Sequence, residues 1–317
     1  MECTSKSLRV VYGDYTLGVH GEGFDYIFSY AQGGLESIRK NGYEWLYRCP
    51  KPTFWRALTD NDRGSKFHIK SGSWLAADMF IDCVDVEVIV DGLSQGKPVA
   101  PDNNKYGSDV YADKVEVKFV YRTITTPVTT VEVAYKVTEN GKITVNVLYT
   151  GAKGLPELPV FGMRFVMPTL ADGYTYEGLS GETYPDRMAG GVKGTYSIDD
   201  LSLTPYLVPQ ECGMRMDTDW VEIARHTSLN MNRTDKSKQI LRIEKEENAF
   251  AFSCLPYTAS EIENATHHEE LPPARRTVLC VYGAVRGVGG IDSWGSDVED
   301  AYHINAEEDI RFSFTIC

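Results

Sequence analysis

Three stretches of this chain gather residue types able to do chemistry. The first is Phe54-Trp55-Arg56-Ala57-Leu58-Thr59-Asp60-Asn61-Asp62-Arg63-Gly64, in which carboxylates, an amide and guanidiniums follow a pair of aromatics. Hard cations take carboxylate oxygens, so Asp60 and Asp62 could hold one, although an EF-hand loop needs more ligands and a closing glutamate. The alternative is an Asx-type turn with Arg56 or Arg63 paired to a carboxylate. The second stretch is Glu182-Thr183-Tyr184-Pro185-Asp186-Arg187, followed by Met188-Ala189-Gly190-Gly191. There Asp186 and Arg187 make either a catalytic pair or a buried ion pair bracing a loop. The third, residues 285–295, crowds Gly287, Gly289, Gly290 and Gly295 around Trp294, with Asp292 and Ser293 just before it. Glycines let a backbone bend sharply and approach a ligand closely. An indole at a loop tip offers a flat apolar face and one N–H donor, a pairing suited to a sugar ring. The plainer reading makes Trp294 a plug at the end of a β-sandwich.

Other signatures are missing. The six histidines are scattered, and only His267 and His268 are neighbours. With Glu269 and Glu270 after them they read as a helix end or solvated turn. No HExxH zinc motif occurs. The glycines at 287, 289 and 290 lack the βαβ setting of a dinucleotide loop. No two carboxylates stand out as the acid and nucleophile of a glycosidase.

The elements that must position these residues are strands. Val115, Val117 and Phe119 alternate with charged residues; so do Val131, Val133, Tyr135 and Val137 with polar ones, then Ile143, Val145, Val147 and Tyr149. Period two means one buried face and one wet face. Asn140-Gly141 suits the positive φ of a tight turn, so 131–149 is expected to be a hairpin. Further strands are expected at 84–91, 158–167, 239–244, 249–254, 277–284 and 309–316. Residues 65–79 hold room for one short helix, and Thr258-Ala-Ser-Glu261 has capping-box spacing for another reaching about Thr266. Polar surface loops are expected at 92–112 and 228–238. Many short strands with few helices predict an all-β sandwich, taken as one domain over 1–317.

Composition narrows the partners. The net charge of −13 argues against nucleic acid or an anionic membrane surface. No apolar run approaches the roughly 20 residues of a membrane helix, and no secretory leader precedes the first strand. Seven scattered cysteines without a CxxC pair suit a reducing cytoplasm. A soluble cytoplasmic protein handling a neutral ligand is the expectation.

The blocks at 54–64, 182–187 and 287–295, with Tyr-Leu-Val-Pro-Gln-Glu-Cys-Gly at 206–213, occur in this order across the chain. Together they resemble the C-terminal domain of the family 2 β-galactosidases, and the chain is similar to the small subunit of the two-chain members. That resemblance implies a large antiparallel β-supersandwich, similar to galactose mutarotase. It implies hydrolysis of terminal non-reducing β-D-galactosides such as lactose, with retention and transgalactosylation. The catalytic carboxylates, and the sites for Mg²⁺ and Na⁺, would lie on the TIM barrel of a separate large subunit. This chain would then hold no catalytic residue and no metal, and would be inactive alone. It would form a heterodimer or higher assembly with that subunit. Trp294 would be the substrate platform, with Asp292 and Ser293 fixing the loop. Gly289, Gly290 and Gly295 would shape the loop. Arg56, Asp60, Asn61, Asp62, Tyr184, Asp186 and Arg187 would be structural. Leu58 departs from the family pattern, where proline is common. The alternatives are a noncatalytic carbohydrate-binding module and a mutarotase-like sugar epimerase; the latter needs a histidine beside a carboxylate on a concave sheet.

Overall fold

The computed structural model describes residues 7–100, 106–107, 109–291 and 295–317. The alternating segments become strands Lys114–Arg122, Thr130–Thr138 and Ile143–Tyr149, paired antiparallel in sequence order. Val115, Val117, Phe119 and Tyr121 are wholly buried, as are Val131, Val133, Tyr135 and Val137 opposite them. The residues between them face water, where Lys118 lies 3.7 Å from Glu87 and 3.6 Å from Glu132 on the flanking strands. The hairpin turn differs from the two-residue kind the dipeptide suggested. It takes four residues, 139–142, and Gly141 alone carries a positive φ while the Asn140 side chain accepts from the Lys142 amide.

Among the described residues the strands form three antiparallel sheets. The largest has ten strands and continues the hairpin through Ile310–Ile316, Gln239–Lys245, Trp220–Arg225, Gly173–Leu179 and Lys193–Ile198 on one side. On the other side it runs through Asp82–Val90 to Leu93–Ser94. A six-stranded sheet is built from the five strands between Leu8 and Glu44, plus Val110–Ala112 added beside Leu8–Tyr12. The five-stranded sheet runs Arg215–Thr218, Phe250–Leu255, Thr277–Val285, Val160–Met167, Arg48–Thr53.

This last sheet is buried on both faces, which is why its strands read as continuous apolar runs rather than alternating ones. Phe161, Met163, Phe165, Phe252, Leu279 and Val281 join the main core. Their alternates Val160, Ala251, Val278, Cys280, Tyr282 and Val285 pack into a second cluster with Tyr184 and Met214. A third cluster of Ala57, Cys212, Leu255 and Ile262 lies beside it. The segments around 57, 184 and 212 therefore cover the outer face of this sheet, and they are the segments the sequence had singled out.

One expectation is met and one is corrected. Residues 65–79 hold one short helix, α2 (Phe67–Lys70), which Lys66 in the left-handed region separates from α1 (Asp60–Gly64) and which a 3₁₀ turn follows at Gly72–Trp74. The loop expected at 92–112 contributes the edge strands Leu93–Ser94 and Val110–Ala112, with 101–105 and 108 outside the described residues. The segment 228–238 does lack strand and helix. Helix α3 (Ala259–Asn264) opens with the expected capping box at Thr258 and Glu261.

Candidate functional site

The first block builds α1 and buries a charge pair beneath it. Thr59 is the N-cap and accepts from the Asp62 amide, while the Asp62 carboxylate takes the Thr59 N–H at 2.9 Å. The same carboxylate receives Arg56 through two parallel bonds of 2.8 and 3.0 Å, and both side chains are 1% exposed. This is a capping box rather than the Asx-type turn the sequence suggested. Asp60 points outward to the Tyr206 hydroxyl at 2.6 Å and to Arg63 at 3.5 Å. Both carboxylates are thus committed to protein donors, and the cation reading loses its ligands. Burial alone would depress the Arg56 guanidinium; the fields of Asp62, Glu211 and Tyr184 more than offset it and raise its pKa.

The second and third blocks meet on each other. The buried Asp186 carboxylate accepts from the Val288 amide at 3.0 and 3.1 Å and from the Gly289 amide at 2.8 Å. Arg187 donates to the Gly289 carbonyl and stands 3.9 Å from Asp186. The expected bracing ion pair is therefore a loop clamp, in which the carboxylate holds amides and the guanidinium holds a carbonyl. Asn61 adds a bond to the Val288 carbonyl at 3.1 Å, and Arg56 another to the Gly287 carbonyl at 3.1 Å. Gly287 is required because a Cβ there would sit 2.8 Å from the Asp186 carboxyl carbon. Gly290 combines φ +77° with a Cβ direction that runs into the Asn61 amide; Gly289 has φ +67°. Gly295 needs neither licence: a Cβ there meets open space and its φ lies outside the left-handed region.

Arg286 joins both limbs of this loop. Its guanidinium is 1% exposed, lies 4.1 Å over the Phe67 ring, and reaches Asp62 at 3.4 Å, Glu157 at 3.2 Å and Asp297. Asp297 also takes the Val298 amide at 2.9 Å and Lys70 at 3.0 Å. Its carboxyl is held below the usual range by Lys70 and Arg286, against an opposing and larger single effect of burial. Glu157 continues to His303, which bonds the Val298 carbonyl at 3.1 Å. The loop closes at its base through the Gly287 amide on the Tyr302 carbonyl at 3.0 Å. Asp292, Ser293 and Trp294 lie outside the described residues.

Sequence reasoning missed Arg286, Glu157, Asp297 and His303 as partners. Arg286 and Asp297 flank the glycine block, so position offered a hint; Glu157 carried none. It also missed Glu211, in the block at 206–213. Burial pushes the Glu211 carboxyl up to about 8, with Arg56 pulling down and Glu182 and Asp62 adding to the rise.

Two other arrangements carry no chemistry. Gly92-Leu93-Ser94-Gln95-Gly96 has the spacing of a hydrolase nucleophile elbow, but Ser94 sits exposed in a two-residue edge strand, bonded to Glu87 at 2.7 Å. Among the described residues no helix follows it as that motif requires. A groove of about 480 Å³ is lined by Glu132, Asn146, Phe250, Tyr282, Arg311 and Ser313 among others, with no histidine in its wall. His20 lies in the six-stranded sheet, 2.7 Å from Asp25.

The chain, strand-rich and with its motif blocks converging on one clamped loop, is similar to the β-galactosidase small chains. The chain belongs to that family: the model described as β-galactosidase small chain matches residues 20–316. A β-galactosidase small subunit from Latilactobacillus sakei is 58% identical over 100% of this chain and 99% of its own length. A β-galactosidase from Halalkalibacterium halodurans is 35% identical over 98% of this chain, which spans only 28% of that longer relative. One from Streptococcus thermophilus is 31% identical over 98% of this chain and 27% of its own. Among solved structures, a putative aldose 1-epimerase from Escherichia coli K12 covers 98% of both chains at a TM-score of 0.44 and 11% identity. A galactose 1-epimerase from Lactobacillus acidophilus does so at 0.42 and 8%. At those levels neither likeness bears on what this chain does.

Proposed function

We propose that this chain is the noncatalytic small subunit of a cytoplasmic two-chain β-galactosidase. The large subunit supplies the acid/base and nucleophilic carboxylates, which in a retaining glycosidase stand about 5 Å apart. This chain supports that catalytic barrel and completes the wall of its pocket through the 287–297 loop. Trp294 serves as a platform for the galactoside, on the side of the leaving sugar. Mg²⁺ and Na⁺ belong to the large subunit; around the loop of this chain Asp62, Asp186 and Asp297 are already spent on arginines, amides and a lysine.

The observation that carries this reading is the convergence of residues 56–62, 186–187, 286–289 and Asp297 on the base of one loop. A chain that merely needed to cover a sheet would not spend so many buried polar groups on a loop's direction. The residues adjoining the loop also suit a partner. Ile69, Leu207 and Ile291 are 70%, 80% and 61% exposed, beside Lys70, Tyr206 and Gly290 of the network. No helix among the described residues is long and apolar enough to cross a membrane.

The test is Trp294→Ala in enzyme reassembled with the large subunit. The lactose KM should rise several-fold, the loss expected of one aromatic contact worth about 1 kcal/mol, while the complex still forms. Unchanged lactose kinetics in a correctly assembled complex would refute the platform.

A further inference from the structure

We propose that Asp186 is a positioning residue for the galactoside pocket, setting the KM of the assembled enzyme by fixing the direction in which the 288–291 segment leaves its strand. This deepens the reading above and rests on it.

Asp186 is a buried carboxylate with an unusual set of partners. Its side chain is 1% exposed, and burying a carboxylate is costly unless strong donors meet it. The donors that meet it at hydrogen-bond distance are two consecutive loop amides, Val288 and Gly289. Such charge-assisted bonds are short and directional. Arg187, next in sequence, takes the Gly289 carbonyl, so both polar groups of that residue are held from the 186–187 pair. Asn61 takes the Val288 carbonyl. Two successive peptides are thereby fixed from outside, just where glycines with positive φ leave the backbone free to turn.

The placement separates this residue from the buried charge network beneath. Arg56, Asp62 and Arg286 bind one another and Gly287, and none of their bonds passes through Asp186. Removing the Asp186 carboxylate therefore releases the loop's outgoing limb while the network and the sheet behind it stay intact. Close placement also explains Gly287, where a Cβ would push the carboxylate away. In a pocket shared between two chains, misplacement of a contributing segment by about 1 Å can cost as much as 100-fold.

The experiment uses Asp186→Ala and Asp186→Asn, each assembled with the large subunit, beside Trp294→Ala. Hydrogen exchange of the Val288 and Gly289 amides is measured along with KM and kcat for lactose. The alanine variant should speed exchange of those two amides about tenfold or more, because a tethered amide opens only when its bond breaks. Its KM should rise about tenfold with kcat within about twofold, and the asparagine variant, which keeps one acceptor oxygen, should fall between it and wild type. A uniformly destabilised complex would instead lower assembly and kcat together. Unchanged amide exchange overturns the tether. Faster exchange with unchanged KM, while Trp294→Ala does raise KM, overturns the positioning role and leaves the platform standing. Unchanged KM in both variants removes the platform, and this inference with it.

Discussion

The three-stranded ladder at 114–149 and the clamped base of the loop, residues 286–289 with Asp297, are held together by different physics. The ladder buries nearly every inward side chain as hydrocarbon or aromatic ring, and its ion pairs lie outside in water. The loop end buries its charges: Arg56, Asp62 and Arg286 are each 1% exposed. Hydrophobic burial is graded, so loss of a methyl group costs in proportion to size. A buried ion network is closer to all-or-none, because an abandoned charge stays desolvated. A buried ion network holds one geometry closely, and the loop proposed to complete another chain's pocket is where this chain spends one.

Three substitutions break or sharpen that contrast. The largest effect belongs to Asp62→Ala, which strands Arg56 and removes the helix cap; it should cost about 3–5 kcal/mol in denaturant unfolding. A cost below about 1 kcal/mol would mean the network contributes little and the contrast is false. Next is Glu211→Gln, read as a function of pH. The native carboxyl titrates at about 8 against an ordinary 4.5. Between those values the folded state therefore holds more protons than the unfolded one, and its stability falls as pH rises. The melting advantage of Glu211→Gln over wild type should widen across that window and level off above it. Parallel melting curves would remove Glu211 from the account. The smallest effect is Ile143→Val in the ladder, about 1 kcal/mol and independent of pH from 5 to 9. A pH-dependent loss there would show that the two regions are coupled.

Much of the architecture was legible because a sheet with one wet face writes itself as alternation. The strands at 114–149 are the plain case. The five-stranded sheet was legible only as apolar runs, since a strand buried on both faces has no period to read. What covered its outer face could not be seen, because that cover comes from segments near 57, 184 and 212, far apart in sequence. The short helix expected within 65–79 is present as α2, and Lys66, in a left-handed conformation, sets its start by cutting it from α1. At the loop, residue types were readable and partners were not. Thr59-Asp60-Asn61-Asp62 has the same spacing as Thr258-Ala-Ser-Glu261, but aspartate stands where a capping box usually has glutamate or glutamine. Asp186 was paired with its neighbour Arg187 on adjacency alone. Its hydrogen-bond donors lie 102 and 103 residues away, and no local pattern reports that.

The strand Val110–Ala112 has a consequence for synthesis. It seals the edge of a sheet whose other members all precede residue 45, and the chain visits the ten-stranded sheet before returning to do so. A nascent polypeptide emerging from the ribosome therefore carries Leu8–Tyr12 with one side uncovered until more than a hundred residues have been made. Exposed strand edges recruit other chains, so through that interval this edge is open to pairing outside its own sheet.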